Sequence, residues 1–241
     1  MGITDTGKKR NNNEDSYFVS PDAIGTLPNL LIVSDGMGGH NAGEIASKKA
    51  IEFFLEFIRR ETVSDNNILD FIVSAVKYAN ENVYKAAQND QSLSGMGATF
   101  SSCVVSDNKL YIAHIGDSRV YFVTRSEIKQ ITDDHSYVAE LVKAKIITEI
   151  QAQVHPRKNL LTRVLGVDPA ENVDGIVFEI EEDGIVLICS DGLTNMLSDN
   201  TILVTLCEER DLGYKARKLV DSANKNGGFD NISVVLADVR R

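Results

Sequence analysis

With 241 residues, 43% of them apolar and 25% charged, the chain has enough hydrophobic material for one mixed α/β domain, and no apolar run is long and uniform enough to suggest a membrane span. A formal charge of −10, with no cluster of Lys and Arg that offers a phosphate-tracking stripe, argues against DNA or RNA as a partner. The three cysteines (Cys103, Cys189, Cys207) are widely spaced among apolar neighbours, and no basic-then-apolar leader is seen; both features are expected of the reducing cytoplasm.

The chain opens on a strongly polar segment, 4–15, that leads into a short strand, 16–19. Arg10 lies here, close in sequence to Glu14 and Asp15, and a guanidinium in such a loop can grip phosphate oxygens with two hydrogen bonds. Next comes a buried strand, Leu30-Leu31-Ile32-Val33-Ser34, ending in Asp35-Gly36. Ile45, Ala46, Ala50, Phe53, Phe54, Phe57 and Ile58 then recur at helical spacing. After a polar break at 64–67, Ile68, Phe71, Ile72, Ala75, Val76, Ala79 and Val83 do the same. Two such helices should pack as an antiparallel pair over an apolar sheet.

A second polar break, 88–95, precedes four short runs rich in β-branched and aromatic residues, 99–105, 110–115, 120–123 and 127–131, which read as an antiparallel meander. A polar, helix-prone stretch (136–154), an apolar strand (184–189), a helix (213–226) and a last strand (231–239) complete the chain.

Ile185-Val186-Leu187-Ile188-Cys189-Ser190-Asp191-Gly192 repeats the grammar of the segment ending in Asp35-Gly36. A strand end holds a carboxylate rigidly, and the glycine after it allows a sharp turn. A single Ser-Asp-Gly is more often only a polar turn. Here, however, Asp117 (in Gly116-Asp117-Ser118-Arg119) and Asp230 (in Gly227-Gly228-Phe229-Asp230-Asn231) occupy similar settings. If the sheets stack, these aspartates can converge, and hard oxygen donors without His or Cys pairs favour Mg²⁺ or Mn²⁺ over zinc. The four histidines lie far apart and form no His-Glu-x-x-His motif. His114, within an apolar strand, reads as a core residue, whereas His40 and His155 sit in loops and are open to a functional role.

Taken together and in order, several motifs resemble those of the type 2C metal-dependent protein phosphatases, in particular the short single-domain bacterial members. They are Arg10 with Asn13-Glu14-Asp15, Asp35-Gly36-Met37-Gly38-Gly39-His40, Gly97-Ala98-Thr99, Gly116-Asp117-Ser118-Arg119, Asp134-His135-Ser136, His155-Pro156-Arg157, Ser190-Asp191-Gly192, and Gly228 with Asp230-Asn231. Each is weak alone; their ordered set spans nearly the whole chain and is specific.

The resemblance implies an α+β fold, a four-layer α-β-β-α sandwich of two antiparallel sheets flanked by helix pairs, as one domain over 1–241. It implies hydrolysis of phosphoserine and phosphothreonine on proteins by a water activated between two divalent cations, Mn²⁺ or Mg²⁺, without a covalent intermediate. In that scheme Asp35 bridges the two metals, Asp191 and Asp230 complete one site, the Gly36 carbonyl serves the other, and Glu14 acts through water. Asp117 with Asp191 matches a third site, Arg10 binds phosphate, and Asp15 and Asn231 support the ligands from behind. The implied partners are phosphoproteins made by a serine/threonine kinase, met by a cytoplasmic monomer, with no role for nucleic acid or membrane. Where animal-type members carry a histidine as general acid directly after Asp-Gly, this chain has Met37, so His40 is the candidate acid. Ala98 stands in place of a frequent threonine, and 143–145, in the stretch that resembles the family's flap, lacks a glycine often found there.

A cysteine-based phosphatase would need Arg six residues after its nucleophile, but Lys109, Asn195 and Gly213 stand there. A non-catalytic relative that binds metal or phosphoprotein should have lost a ligand, and none is missing. A two-metal hydrolase acting on small phosphate esters would differ only in what enters the cleft.

Overall fold

The computed structural model describes residues 1–39, 42–63 and 67–241. The candidate acid His40 and most of the polar break at 64–67 lie outside the described residues. In chain order the elements begin with strands β1 (Gly2–Asp5), β2 (Asp15–Ser20) and β3 (Leu30–Met37), followed by helices α1 (Ala42–Arg60) and α2 (Ile68–Asn89). Then come β4 (Gly97–Ala98), β5 (Phe100–Ser106), β6 (Lys109–Ile115), β7 (Arg119–Val123) and β8 (Ile128–Gln130), and the short helices α3 (Tyr137–Lys143) and α4 (Glu149–Gln153). The chain closes with β9 (Asp174–Glu179), β10 (Gly184–Cys189), α5 (Asp191–Thr194), α6 (Asp199–Leu206), α7 (Leu212–Lys225) and β11 (Ile232–Val239).

The runs Leu30–Val33 of β3 and Ile185–Cys189 of β10 are apolar without a break because each strand is covered on both faces. In β3, Leu30 and Ile32 pack under α1 and α2, whereas Leu31 and Val33 face the opposite sheet. In β10, Val186 and Ile188 meet them there, and Ile185, Leu187 and Cys189 pack under α6 and α7. This period-two division of one apolar run between two cores is what a four-layer α-β-β-α sandwich requires. One sheet runs β1-β11-β10-β7-β8 and the other β2-β3-β5-β6-β9, with β4 paired to β3, and the pairings are antiparallel. Phe54 of α1, fully buried against Phe100 of β5 at 5.2 Å between ring centres, locks the helix pair to its sheet; truncating such a ring to alanine costs about 3–5 kcal/mol.

The expected single meander is corrected. Strands β5 and β6 form a hairpin through Asp107 and Asn108, both at positive φ (50° and 58°), the geometry of a tight primed turn. At Gly116 the chain then crosses to the other sheet, where β7 pairs with β10 and β8. Strands β1 and β9 and helix α6 are additions to the sequence reading. Strand β9 is an edge strand that hides only alternate residues and carries Asp174, Gly175 and Glu179, so its pattern is faint. Among the described residues no helix is long and apolar enough to cross a membrane.

Candidate metal centre

The antiparallel order brings one set of strand ends to one end of the sandwich: the starts of β2, β5 and β11, the ends of β3 and β10, and the turn from β6 to β7. Asp35 sits near the end of β3, Asp117 in the β6–β7 turn, Asp191 at the start of α5 with only Ser190 between it and β10, and Asp230 just before β11. With Glu14, Gly36, Asn231 and Arg10 they line one cleft of about 480 Å³. Asp15 lies opposite Asp35 in the β2–β3 register and is buried beneath the cleft.

A dense set of hydrogen bonds holds this end rigid. The Asp35 N–H donates to Thr99 Oγ1 (2.9 Å), and that hydroxyl lies 2.7 Å from Ser118 Oγ, which ties β3 to the Asp117 turn. The Gly36 N–H donates to the Glu14 carbonyl at 3.1 Å. Asn231 stitches the N-terminal loop down: its Nδ2 donates to the Thr6 and Asn12 carbonyls (2.9 Å each), and its Oδ1 accepts from the Glu14 N–H (2.8 Å). Ser190 Oγ donates to Asp15 Oδ2 (2.7 Å) and accepts from the Ser233 N–H (2.9 Å). Asn195 Nδ2 donates to Asp191 Oδ2 at 2.9 Å.

The glycines that follow Asp35 and Asp191 are required for close approach rather than for a left-handed turn, since neither has positive φ. A Cβ on Gly36 would lie 1.9 Å from the Gly43 carbonyl oxygen, and one on Gly192 would lie 2.0 Å from that of Asn231.

Electrostatically the cleft floor is starved of positive charge. Burial, then the charges of Asp15 and Asp191, push Asp35 well above the usual carboxylate range. Burial, then Asp191 and Asp134, does the same to Asp117. Burial raises Asp15 to about 7 against the opposing Ser190 hydrogen bond, and burial followed by Asp230 raises Asp191 to about 6. Glu14 is also raised, by burial first. Arg10 reaches in from the rim, Nη2 to Asp230 Oδ2 at 2.8 Å, and that hydrogen bond raises its own pKa.

These residues fit a hard divalent cation. The donors are carboxylate and carbonyl oxygens, their mutual repulsion calls for positive charge, and Asp15 Oδ1 is buried with no hydrogen-bond partner. Among the described residues no three His, Cys, Asp or Glu side chains come close enough together to hold a metal ion between them as they stand. The donors instead line an open wall, as suits ions that keep several water ligands. His114 and His135 are committed elsewhere, to Ser101 and the Gly116 turn. The buried thiols of Cys103 and Cys189 are pushed up to about 12 by desolvation, which leaves them inert as nucleophiles.

The cleft thus gathers Arg10, Glu14, Asp35, Gly36, Asp117, Asp191, Asp230 and Asn231, with Asp15 just below. His155 is not among its lining residues; its Nδ1 accepts from the Arg157 N–H and its ring packs 5.9 Å from Tyr137. Sequence reasoning misses the work of the Thr99 and Ser190 hydroxyls, and it misses the far wall, which is built from Asn159 to Thr162 with Val164 and Val167. The available signal for that wall is the unpatterned run after His155-Pro156-Arg157, beyond the 136–154 stretch that forms α3 and α4.

Comparison with known proteins agrees with this geometry. Residues 7–218 match the family model described as protein phosphatase 2C. The serine/threonine phosphatase stp of Listeria monocytogenes is 36% identical over 98% of this chain and 93% of its own length. The crystal structure of serine/threonine phosphatase Stp1 from Staphylococcus aureus superposes with a TM-score of 0.92 at 32% identity, over 100% of this chain and 94% of that one. The catalytic domain of the serine/threonine protein phosphatase PstP, crystallised with two manganese ions, superposes at 0.86 with 33% identity, over 100% and 97% of the two chains. The chain therefore belongs to the protein phosphatase 2C family and is a protein serine/threonine phosphatase of that type.

Proposed function

We propose that this cleft hydrolyses phosphoserine and phosphothreonine esters on proteins with a metal-activated water, without a covalent enzyme intermediate. The observation that carries the reading is the convergence of Glu14, Asp35, Asp117, Asp191 and Asp230 on one cleft with a single guanidinium, Arg10, at its rim. Asp35, the Gly36 carbonyl, Asp191 and Asp230 would hold a pair of Mn²⁺ or Mg²⁺ ions, with Glu14 acting through water and Asp117 with Asp191 offering a third position. The two manganese ions of the PstP structure support the pair. When bound, such ions supply Lewis acidity and an acidified water at neutral pH.

The protein's own contribution is positioning and charge. Thr99, Ser190 and Asn231 fix the backbone that carries the carboxylates, so little reorganisation is left for the moment of reaction. Arg10, on a loop pinned by Asn231 and now on Asp230, would take phosphate oxygens and oppose the charge that develops on them. Leu160, Leu161, Val164 and Val167 add apolar surface to the cleft opposite the carboxylates. His40 is the proposed proton donor to the leaving oxygen. The reading is of a single-domain cytoplasmic monomer that opposes a serine/threonine kinase.

A phosphothreonine peptide, offered with Mn²⁺ and then with excess chelator, tests this. Turnover should require the metal and exceed that of sugar phosphates and nucleotides. Undiminished turnover in chelator would end the metal mechanism, and preference for the small esters would reverse the substrate class.

A further inference from the structure

Beneath the Asp117 turn, outside the cleft, a polar chain that the proposed chemistry does not use runs from the buried His135 to the half-buried Asp174 and Arg163. The Gly116 N–H donates to His135 Nδ1 at 3.0 Å, and the His135 N–H donates back to the Gly116 carbonyl at 2.8 Å. A ring nitrogen that accepts a backbone proton carries none of its own, so the imidazole proton sits on Nε2. That nitrogen lies 3.0 Å from Asp174 Oδ2, the acceptor it needs. Asp174 is held in turn by Arg163, Nη1 at 2.6 Å and Nη2 at 3.4 Å. His135 is only 2% exposed, and His114 packs against its ring at 4.7 Å.

Gly116 is where such a clamp has most effect. Its φ of +109° and the 2.5 Å separation between a would-be Cβ and the Thr99 side chain exclude a side chain there. Gly116 itself can therefore be held only through its peptide groups, beside the Thr99–Ser118 contact on the other side of Asp117. Arg163 also stands between Thr162 and Val164, which line the far wall, so the same chain joins that wall to the turn.

We propose that His135 is a positioning residue for Asp117: its Nδ1, left bare in the Nε2–H tautomer that Asp174 and Arg163 select, holds the Gly116 N–H while its backbone N–H holds the Gly116 carbonyl, and together they aim the Asp117 carboxylate into the cleft. The inference rests on the reading of Asp117 as a cation ligand, and outer partners of this kind typically govern affinity by 10–100-fold.

Two measurements on the full chain test it. In long-range proton–nitrogen spectra of histidine-labelled protein, His135 should show a protonated Nε2 and a bare Nδ1, and the Gly116 amide should be protected from exchange; a protonated Nδ1 or a fast-exchanging Gly116 amide overturns the clamp. In calorimetric Mn²⁺ titrations, Asp117→Asn should remove one class of site. His135→Gln, which keeps a donor towards Asp174 and loses the acceptor for Gly116, should weaken that class by about tenfold or more and leave the others unchanged. His135→Asn, whose amide oxygen can stand where Nδ1 stood, should restore it. Equal loss in both variants, or weakening of every class together, overturns the positioning role. An Asp117→Asn titration identical to wild type, with the tautomer as stated, instead overturns Asp117 as a ligand and takes this proposal's link to metal with it.

Discussion

Asp15 and Asp35 stand opposite each other across the β2–β3 ladder, one sealed beneath the cleft and the other opening into it. Asp15 has a hydrogen bond from Ser190 on one oxygen and nothing on the other. Two carboxylates so placed repel each other through protein rather than water, and Asp191 adds to the same field.

The first prediction concerns the pH dependence of stability in chelated protein. Asp15 at about 7 and Asp191 at about 6 both lie above their ordinary 3.8. Folded protein therefore keeps protons that unfolded protein releases. The stabilisation that follows is complete below about pH 4 and is lost as pH rises through about 6 and 7. Asp15→Asn, which removes one of the repelling charges, should raise Tm by several degrees near pH 8, with the gain shrinking to nothing near pH 4. Thermal melts in chelator across this range check it; a gain that grows towards acid would contradict the sign.

Asp35→Asn and Asp191→Asn should each lower phosphopeptide turnover by more than ~100-fold, since the ligands themselves should matter more than their outer partners. Neither should unfold the protein, because each removes a charge that the metal-free fold holds at a cost. Turnover in Mn²⁺ set beside circular dichroism separates the two effects. Wild-type rates in either variant would remove that residue from the centre.

Lys145, directly after the α3 cap, takes φ +58° and closes the helix with hydrogen bonds from its N–H to Val142 and from the Ile146 N–H to Leu141. This is the left-handed C-terminal geometry that glycine adopts without steric penalty, taken here by a lysine. Lys145→Gly should stabilise the protein by about 1 kcal/mol, the ordinary cost of a side chain in this region net of glycine's greater freedom when unfolded. Urea unfolding of the two proteins reads it directly, and a loss of stability would show that the Lys145 side chain holds this segment down.

What could be read in advance follows from how local each signal is. Asp35 and Asp191 announce themselves because each ends an unbroken apolar strand with Ser-Asp-Gly, and a helix pair over a sheet follows from their distinct periods, whereas the four-layer order is what the family resemblance implies. Ser190 and Asp15 touch across 175 residues, and nothing near either position marks the other. The crossing at Gly116 is equally silent, because alternation looks the same whichever sheet β7 joins. The wall at 159–167 has no period at all; it takes its shape from the Ala98–Leu165 bridge and from Asn80, a buried helix side chain that accepts from the Gly166 N–H at 2.6 Å.

Arg10 provides the last prediction, because its present partner is also a proposed ligand. Its guanidinium holds Asp230 at 2.8 Å, yet both side chains are partly in water, so the pair itself contributes little to stability. Phosphate oxygens offer the same guanidinium a bidentate, more highly charged acceptor, and a cation offers Asp230 a stronger counter-charge. Arg10→Ala should therefore act on substrate use, lowering kcat/KM for a phosphopeptide by about 10–100-fold, mostly through KM, the scale of losing hydrogen bonds to a charged group. Mn²⁺ affinity should stay level or tighten slightly, since Asp230 loses a competitor. Steady-state kinetics beside a calorimetric Mn²⁺ titration distinguish these outcomes: unchanged kinetics would remove Arg10 from the site, and weakened Mn²⁺ binding would make it a structural prop of Asp230 rather than a phosphate ligand.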